Sequence, residues 1–137
     1  MNVLVALAWP NHVHHTRAIR WFGRVHGEGW ATCPATEAGF VRVSSNTRVL
    51  RDARPPAEAI ALLGEIRKQP GHHFWSDDVS PCQDTAGLFA GVVGYRQVTD
   101  AWLVTLTHQR NGRLATFDRG IVELTGRAAE RLVELIP

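Results

Sequence analysis

Lysine, cysteine and long hydrophobic runs are all scarce in this sequence of 137 residues. Lys68 is the only lysine among 15 basic residues. Arginine supplies the others and suits bidentate contacts to phosphate, although a codon preference would give the same composition. The cysteines, Cys33 and Cys82, lie far apart and form no CxxC motif. This spacing excludes a disulfide framework and indicates reduced, structural thiols.

The hydrophobic run that opens the chain, residues 3–8, ends abruptly at Trp9 and Pro10. It is far shorter than the roughly 20 residues that a membrane helix needs. It also lacks the basic flank and the cleavage site of a signal peptide. We expect a buried parallel strand here, because such strands read as continuous apolar runs. Together with the reduced cysteines, this predicts a cytoplasmic protein without membrane contact.

Composition and length predict one globular domain, residues 1–137. Apolar residues make up 45% of the chain and charged residues 20%, which excludes a disordered protein. The formal net charge is +2. A small positive net charge permits an anionic partner without requiring one.

Helical and strand patterns alternate along the chain. Helices are predicted at residues 12–26, 34–43, 57–68, 81–93 and 100–109. Short strands are predicted at residues 30–33, 72–75, 114–117 and 132–136. In the third helix Ile60, Leu63 and Ile66 are expected to face the core, and Thr99 is expected to cap the last helix. Strands separated by helices indicate an α/β fold with a mostly parallel central sheet.

Three carboxylates follow predicted strands or open predicted helices. Asp118 comes directly after a strand, Asp100 begins a helix, and Glu37 lies in the first turn of another helix. Ligands of α/β proteins bind at the carboxyl ends of strands, so these side chains are candidates for one site. Clustered carboxylates need a cation, and oxygen ligands favour Mg²⁺ or Mn²⁺. Separately, each residue also fits an ordinary helix start or turn.

Four segments carry a family resemblance: "NVLVALAWPNHVHH" at residues 2–15, "TEAGFVRV" at 36–43, "VTDAWLV" at 98–104 and "LATFDRG" at 114–120. In this order they resemble the VapC-type toxins of the PIN-domain ribonuclease family, over nearly the whole chain. The resemblance implies an α/β/α sandwich that hydrolyses RNA with Mg²⁺ or Mn²⁺. It also implies a small antitoxin partner and a homodimer.

By this resemblance the catalytic, metal-binding residues are Glu37, Asp100 and Asp118, and the supporting polar residues are Asn2, Thr99 and Thr116. The first strand of the family usually reads like "LLDVNVL", and its Asp is a metal ligand. Aligning "NVL" puts that Asp one position before Met1. We expect the start codon to lie further upstream; a gene that begins here would encode an impaired nuclease. For the chain as given, weaker metal binding and lower turnover are expected.

Other polar residues are weaker candidates. Arginines with helical spacing, or next to the acidic residues, are candidates for RNA contact: Arg17, Arg20, Arg24, Arg42 and Arg119. The spacing of His12, His14 and His15 fits a solvated helix start better than a zinc site, and the pair His72-His73 is judged in the same way. The acidic residues Asp77, Asp78 and Asp84 are interpreted as turn and helix-start residues.

Two alternatives to a nuclease stay open. The first is a catalytically impaired module of the same fold that binds antitoxin or RNA without cleaving it. The second is an aspartate-based phosphoryl-transfer domain, which would need a DxD-like pair after the first strand. That place holds Trp9, Pro10 and Asn11 instead.

Overall fold

A computed structural model describes residues 1–83 and 87–137. The chain divides into two compact units, Met1–Asp77 and Asp78–Pro137. Within the described residues, each unit combines α-helices with a pair of parallel strands. The predicted mixed α/β class with parallel strands is therefore confirmed, and the single domain stays a prediction. In the same residues, no helix has both the length and the apolar character that crossing a membrane requires.

The first unit contains a parallel strand pair and the helices that surround it. Its helices are α1 (Asn2–Ala8), α2 (His15–Val25), α3 (Pro34–Ser44) and α4 (Pro56–Arg67), with a 3₁₀ turn at His26–Glu28. Its strands are β1 (Trp30–Thr32) and β2 (His72–Phe74), with Trp30 opposite His72. Gly71 precedes β2 with a φ of +79°, and its carbonyl oxygen accepts the N–H of Trp30 at 2.9 Å. Glycine suits this position because other residues rarely adopt a positive φ.

The opening apolar run forms α1, so the prediction of a buried strand at residues 3–8 was wrong. Residues 3–6 are buried, and the N–H of Trp9 donates to the carbonyl of Val5 at 3.1 Å. A continuous apolar run does not distinguish a buried helix from a buried strand, and the leucines and alanines here favour the helix. The helix ends at Trp9, whose backbone is extended, because a residue followed by proline avoids the helical conformation.

The core of the first unit joins α1, α3 and α4. Its buried members are Leu4, Val5, Trp9, Phe40 and Leu63. The indole Nε1 of Trp9 donates to the hydroxyl of Ser44 at 3.1 Å. The end of α1 is thereby tied to the end of α3 by a hydrogen bond that is shielded from water.

The inward face of α4 differs from the predicted one. Leu63 is buried and Ile66 packs against the core, as predicted, but Ile60 is 57% exposed. Ala59 is fully buried in its place. Ala59 and Leu63 are four residues apart and lie on one side of the helix. The small side chain of Ala59 allows the backbone of α4 to approach its neighbours.

The second unit contains the second parallel pair. Its helices are α5 (Val98–Gln109), α6 (Arg119–Thr125) and α7 (Ala129–Leu132), with 3₁₀ turns at Pro81–Gln83, Leu88–Gly91, Tyr95–Gln97 and Gly126–Ala128. Its strands are β3 (Leu114–Thr116) and β4 (Val133–Leu135), with Leu114 opposite Val133. Val104, Ile121, Leu132 and Val133 form its buried core.

Two predictions for the second unit were wrong. The described parts of residues 81–93 form 3₁₀ turns rather than an α-helix, and Asp84 lies outside the described residues. Thr99 lies inside α5, because the helix begins at Val98 with Gln97 as its N-terminal cap. The side chain of Gln97 accepts the N–H of Val93 at 2.8 Å. This bond forms a turn that leads directly into the helix, so the helix starts earlier than the Thr99 pattern indicated.

Candidate functional site

Glu37 lies at the carboxyl end of β1. The strand ends at Thr32, Cys33 caps α3, and Pro34 occupies the first helical position. The N–H of Cys33 donates to the hydroxyl of Thr36 at 2.9 Å. This cap places Glu37 in the first turn of α3, where its side chain is only 16% exposed.

Three side chains from the first unit surround the Glu37 carboxylate. The Thr32 hydroxyl donates to Oε1 of Glu37 at 2.6 Å, and the same hydroxyl lies 2.8 Å from Nε2 of His72. Arg67 donates to Oε2 of Glu37 at 3.3 Å. The guanidinium of Arg67 also lies over the ring of Phe74, 5.2 Å from its centre. Both oxygens of Glu37 are therefore hydrogen-bonded.

Asp100 and Asp118 interact in the second unit. Asp118 follows β3 and caps α6, with its Oδ1 accepting the N–H of Gly120 at 2.8 Å. Its own N–H donates to the hydroxyl of Thr116 at 3.0 Å. Asp100 lies in the first turn of α5. The fold thus brings together two of the three predicted carboxylates, although 18 positions separate them in the chain.

The pKa of Asp100 is raised above its ordinary value. Burial is the main cause, and the negative charge of Asp118 adds to it. Within the described part of the second unit, neither carboxylate forms a salt bridge with a basic side chain. Two hard oxygen donors that repel each other are suited to a divalent cation, so this pair fits the metal that the sequence predicts.

The other predicted site residues are distributed over both units. Thr116 is buried and supports the Asp118 turn, whereas Thr99 is exposed beside Asp100. Asn2 is the first residue of α1, in the first unit together with Glu37. Across residues 1–83 and 87–137, no group of three His, Cys, Asp or Glu side chains is arranged to hold a metal ion. The three-carboxylate site stays a prediction.

The candidate RNA-contacting arginines are all exposed. Arg17, Arg20 and Arg24 lie on α2, Arg42 on α3 and Arg119 at the start of α6. Nη1 of Arg17 donates to Nδ1 of His14 at 3.0 Å. These guanidinium groups are accessible to a phosphate backbone, and so the α2 arginines form a basic stripe on the first unit.

The histidines near the start of α2 take part in local hydrogen bonds. Nδ1 of His12 accepts the N–H of His14 at 3.1 Å, and Nδ1 of His15 donates to the carbonyl of Ala6 at 2.8 Å. The predicted turn residue Asp78 likewise has a partner, because its Oδ1 forms a salt bridge with Nη2 of Arg110 at 2.6 Å. We interpret these contacts as structural.

The sequence reasoning missed Thr32 and Arg67, and it considered His72 only as an unconvincing metal ligand. Thr32 had a readable signal, because it is the last strand residue before the helix that carries Glu37. His72 and Arg67 had no such local signal. Only the parallel pairing of β2 with β1 brings His72 and the end of α4, which carries Arg67, near Glu37.

Comparisons with known proteins extend over nearly the whole chain. None of the protein-family models matches it. Ribonuclease VapC38 of Mycobacterium tuberculosis (strain ATCC 25618 / H37Rv) is 50% identical over 136 residues, which cover 99% of this chain and 94% of that protein. Ribonuclease VapC39 of Mycobacterium tuberculosis (strain CDC 1551 / Oshkosh) is 46% identical over 99% of this chain and 96% of that protein. Ribonuclease VapC29 of the same strain is 40% identical over 93% and 90%, respectively.

Proposed function

The chain belongs to the VapC ribonuclease family, and from this membership we propose that it is the endoribonuclease toxin of a type II toxin–antitoxin system. In this proposal it hydrolyses RNA phosphodiester bonds with Mg²⁺ or Mn²⁺. The observation that carries the proposal is the Asp100–Asp118 pair, in which burial, and after it repulsion by the charge of Asp118, raises the pKa of Asp100. A divalent cation would remove that repulsion.

Each acidic residue has a distinct part in the proposed mechanism. Asp100 and Asp118 would hold the metal, with Glu37 as a third carboxylate. Oδ1 of Asp118 accepts the N–H of Gly120, so Oδ2 is the oxygen with both lone pairs left for a cation. The bound metal would polarise the phosphodiester and activate the attacking water. Thr116 holds the backbone of Asp118 in place, which keeps the carboxylate oriented.

The exposed arginines supply the proposed RNA contacts. Their guanidinium groups match phosphate geometry, and the stripe Arg17, Arg20 and Arg24 runs along one helix. Arg119 directly follows Asp118, and Arg42 lies on the same helix as Glu37. We propose that Arg42 and Arg119 each bind phosphate near the acidic residue that each of them neighbours.

The proposed partners are RNA and a small antitoxin. An antitoxin that places a basic side chain beside Asp100 and Asp118 would neutralise the same charge that the metal neutralises, and would thereby keep the toxin silent. We also propose a homodimer and a cytoplasmic location.

Cleavage of total RNA tests the function. We expect the purified protein to cleave RNA in the presence of Mn²⁺ or Mg²⁺. Cleavage should cease when EDTA removes the cation. Asp100→Asn and Asp118→Asn should each lower the rate by more than about a hundredfold, which exceeds the usual effect of changing a residue outside the ligand shell. Asp78→Asn is the matched control, because Asp78 is an exposed aspartate paired with Arg110. Equal rates in Asp100→Asn and wild type would contradict the proposal.

A non-cleaving module is the second candidate. It is favoured by the absence of a three-ligand metal group in the described residues. Such a protein would bind antitoxin or RNA with equal affinity in Mn²⁺ and EDTA, and it would leave RNA intact under both conditions.

A further inference from the structure

Thr32 and His72 form a hydrogen-bonded chain that ends on Glu37. We propose that both are positioning residues: His72 donates from Nε2 to the Thr32 hydroxyl, which donates to Glu37 and holds this carboxylate ready for a cation. The proposal rests on the proposed function, in which Glu37 is a metal ligand. It adds two residues that contact neither metal nor RNA.

The direction of the chain follows from the number of available protons. A threonine hydroxyl has one proton and two lone pairs, and an ionised carboxylate only accepts. The distance from Thr32 Oγ1 to Glu37 Oε1, 2.6 Å, is typical of a hydroxyl donating to a carboxylate. The hydroxyl proton of Thr32 is therefore donated to Glu37. At 2.8 Å, Nε2 of His72 must then be the donor to Thr32.

The fold holds the imidazole of His72 in place for this role. Strand pairing sets His72 opposite Trp30, and the two rings meet edge to face with their centres 4.6 Å apart. Burial lowers the pKa of His72, and Arg67 and His73 lower it further, against the opposing charge of Glu37. A neutral imidazole carries one N–H, and the geometry assigns that proton to Nε2.

Shielding from water makes the chain strong. Thr32 is only 3% exposed, so water does not replace either of its bonds, and hydrogen bonds in such surroundings strengthen one another. Arg67 holds the opposite oxygen of Glu37. Each carboxylate oxygen has two lone pairs, so one on each oxygen is left for a cation. The Glu37 side chain is thereby fixed from both sides.

Proton NMR of the metal-free protein tests the chain independently of metal binding. We expect an exchange-protected Nε2–H resonance for His72 in wild type and Thr32→Ser, and its loss in Thr32→Val. Glu37→Ala should also remove the resonance, because the Thr32 hydroxyl is then free to donate to Nε2. His73, which is exposed, is the internal control and should show no protected proton. A protected resonance that survives in both Thr32→Val and Glu37→Ala would overturn the proposal.

Calorimetric titration with Mn²⁺ tests the positioning role. We expect Thr32→Val and His72→Phe to weaken binding about ten- to a hundredfold, the usual effect of losing a group that orients a ligand. Thr32→Ser should restore binding, and so should His72→Gln, whose amide can donate in place of Nε2–H. His73→Phe is the matched control. Thermal unfolding of each variant checks that it is folded.

The outcomes separate the two proposals. Wild-type affinity in Thr32→Val would overturn the positioning role and leave the proposed function intact. A wild-type protein that binds no Mn²⁺ would contradict the proposed function, and with it the purpose that we assign to the chain.

Discussion

Glu37 and Asp100 occupy similar places, each in the first turn of a helix, but their surroundings differ. Glu37 accepts hydrogen bonds from Thr32 and Arg67. Asp100 is partly buried near Asp118, and its pKa is raised. A carboxylate that is desolvated and repelled lowers stability. At the scale of the residue, the folded state therefore tolerates an unfavourable charge at Asp100, as is common for functional sites.

Asp100→Asn should stabilise the metal-free protein at pH 7. The ordinary pKa of the Asp100 carboxyl is 3.8, and folding raises it. Just above pH 3.8 the folded protein therefore keeps a proton that the unfolded chain has lost. The free energy of unfolding therefore falls as the pH rises from 3.8 through the raised pKa. Above the raised pKa, Asp100 is charged in the folded protein and the loss of stability is complete. We expect a higher melting temperature for Asp100→Asn in EDTA at pH 7, measured by circular dichroism.

The pH dependence provides the control for this prediction. Well below pH 3.8, the ordinary pKa of the group, the Asp100 carboxyl is neutral in both states, so the difference from wild type should vanish there. Asp78→Asn should not stabilise, because it removes the ion pair with Arg110. An Asp100→Asn variant that is less stable than wild type at pH 7 would contradict our account.

At the scale of the element, the orientation of α4 is decided by packing. Leu63 is 6% exposed and Ile60 57% exposed, although both are large aliphatic residues on one helix. Ile60 and Leu63 are three residues apart, a spacing that alone places them on the same side. Because Ala59 is fully buried, the buried face of α4 contains Ala59 and Leu63, whereas the expected face contained Ile60 and Leu63.

Alanine substitutions distinguish the two faces of α4. Leu63→Ala should lower the free energy of unfolding by about 2–5 kcal/mol, because it leaves a cavity in the core. Ile60→Ala, the matched control on the same helix, should change it by no more than about 1 kcal/mol. Urea unfolding measures both values. Equal losses in the two variants would show that Ile60 also faces the core.

At the scale of the whole molecule, the net charge of +2 says little about RNA binding. The stripe Arg17, Arg20 and Arg24 concentrates positive charge on α2. An RNA backbone responds to such local charge, because binding releases counterions in proportion to the phosphates that are contacted.

Replacing the three α2 arginines with glutamine should weaken RNA binding and its salt dependence. Three lost phosphate contacts should reduce the slope of log K against log salt by about 2, since each contributes roughly 0.7 for single strands. Fluorescence anisotropy with a labelled oligonucleotide in EDTA measures the slope without cleavage. The control replaces three exposed arginines elsewhere, Arg48, Arg51 and Arg127. Similar slopes in both triple variants would exclude a specific role for α2.

Much of the fold was readable from local pattern. The prolines and glycines around residues 34, 56 and 71 mark where helices and strands begin or end, and the predicted strands near Trp30, His72 and Leu114 are present. Local signals failed where two structures bury the same residues equally well. The run at residues 3–8 satisfies both a strand and a helix, and only its packing decided for α1.

Sequence by itself determined the family, the mixed α/β class and the positions of Glu37, Asp100 and Asp118 at helix starts, because these depend on motifs and on near neighbours in the chain. Only the tertiary structure decided which groups surround each carboxylate. Asp118 approaches Asp100, and His72 approaches Thr32, across segments that the sequence keeps far apart. Such contacts depend on strand pairing and core packing, and no local pattern encodes them.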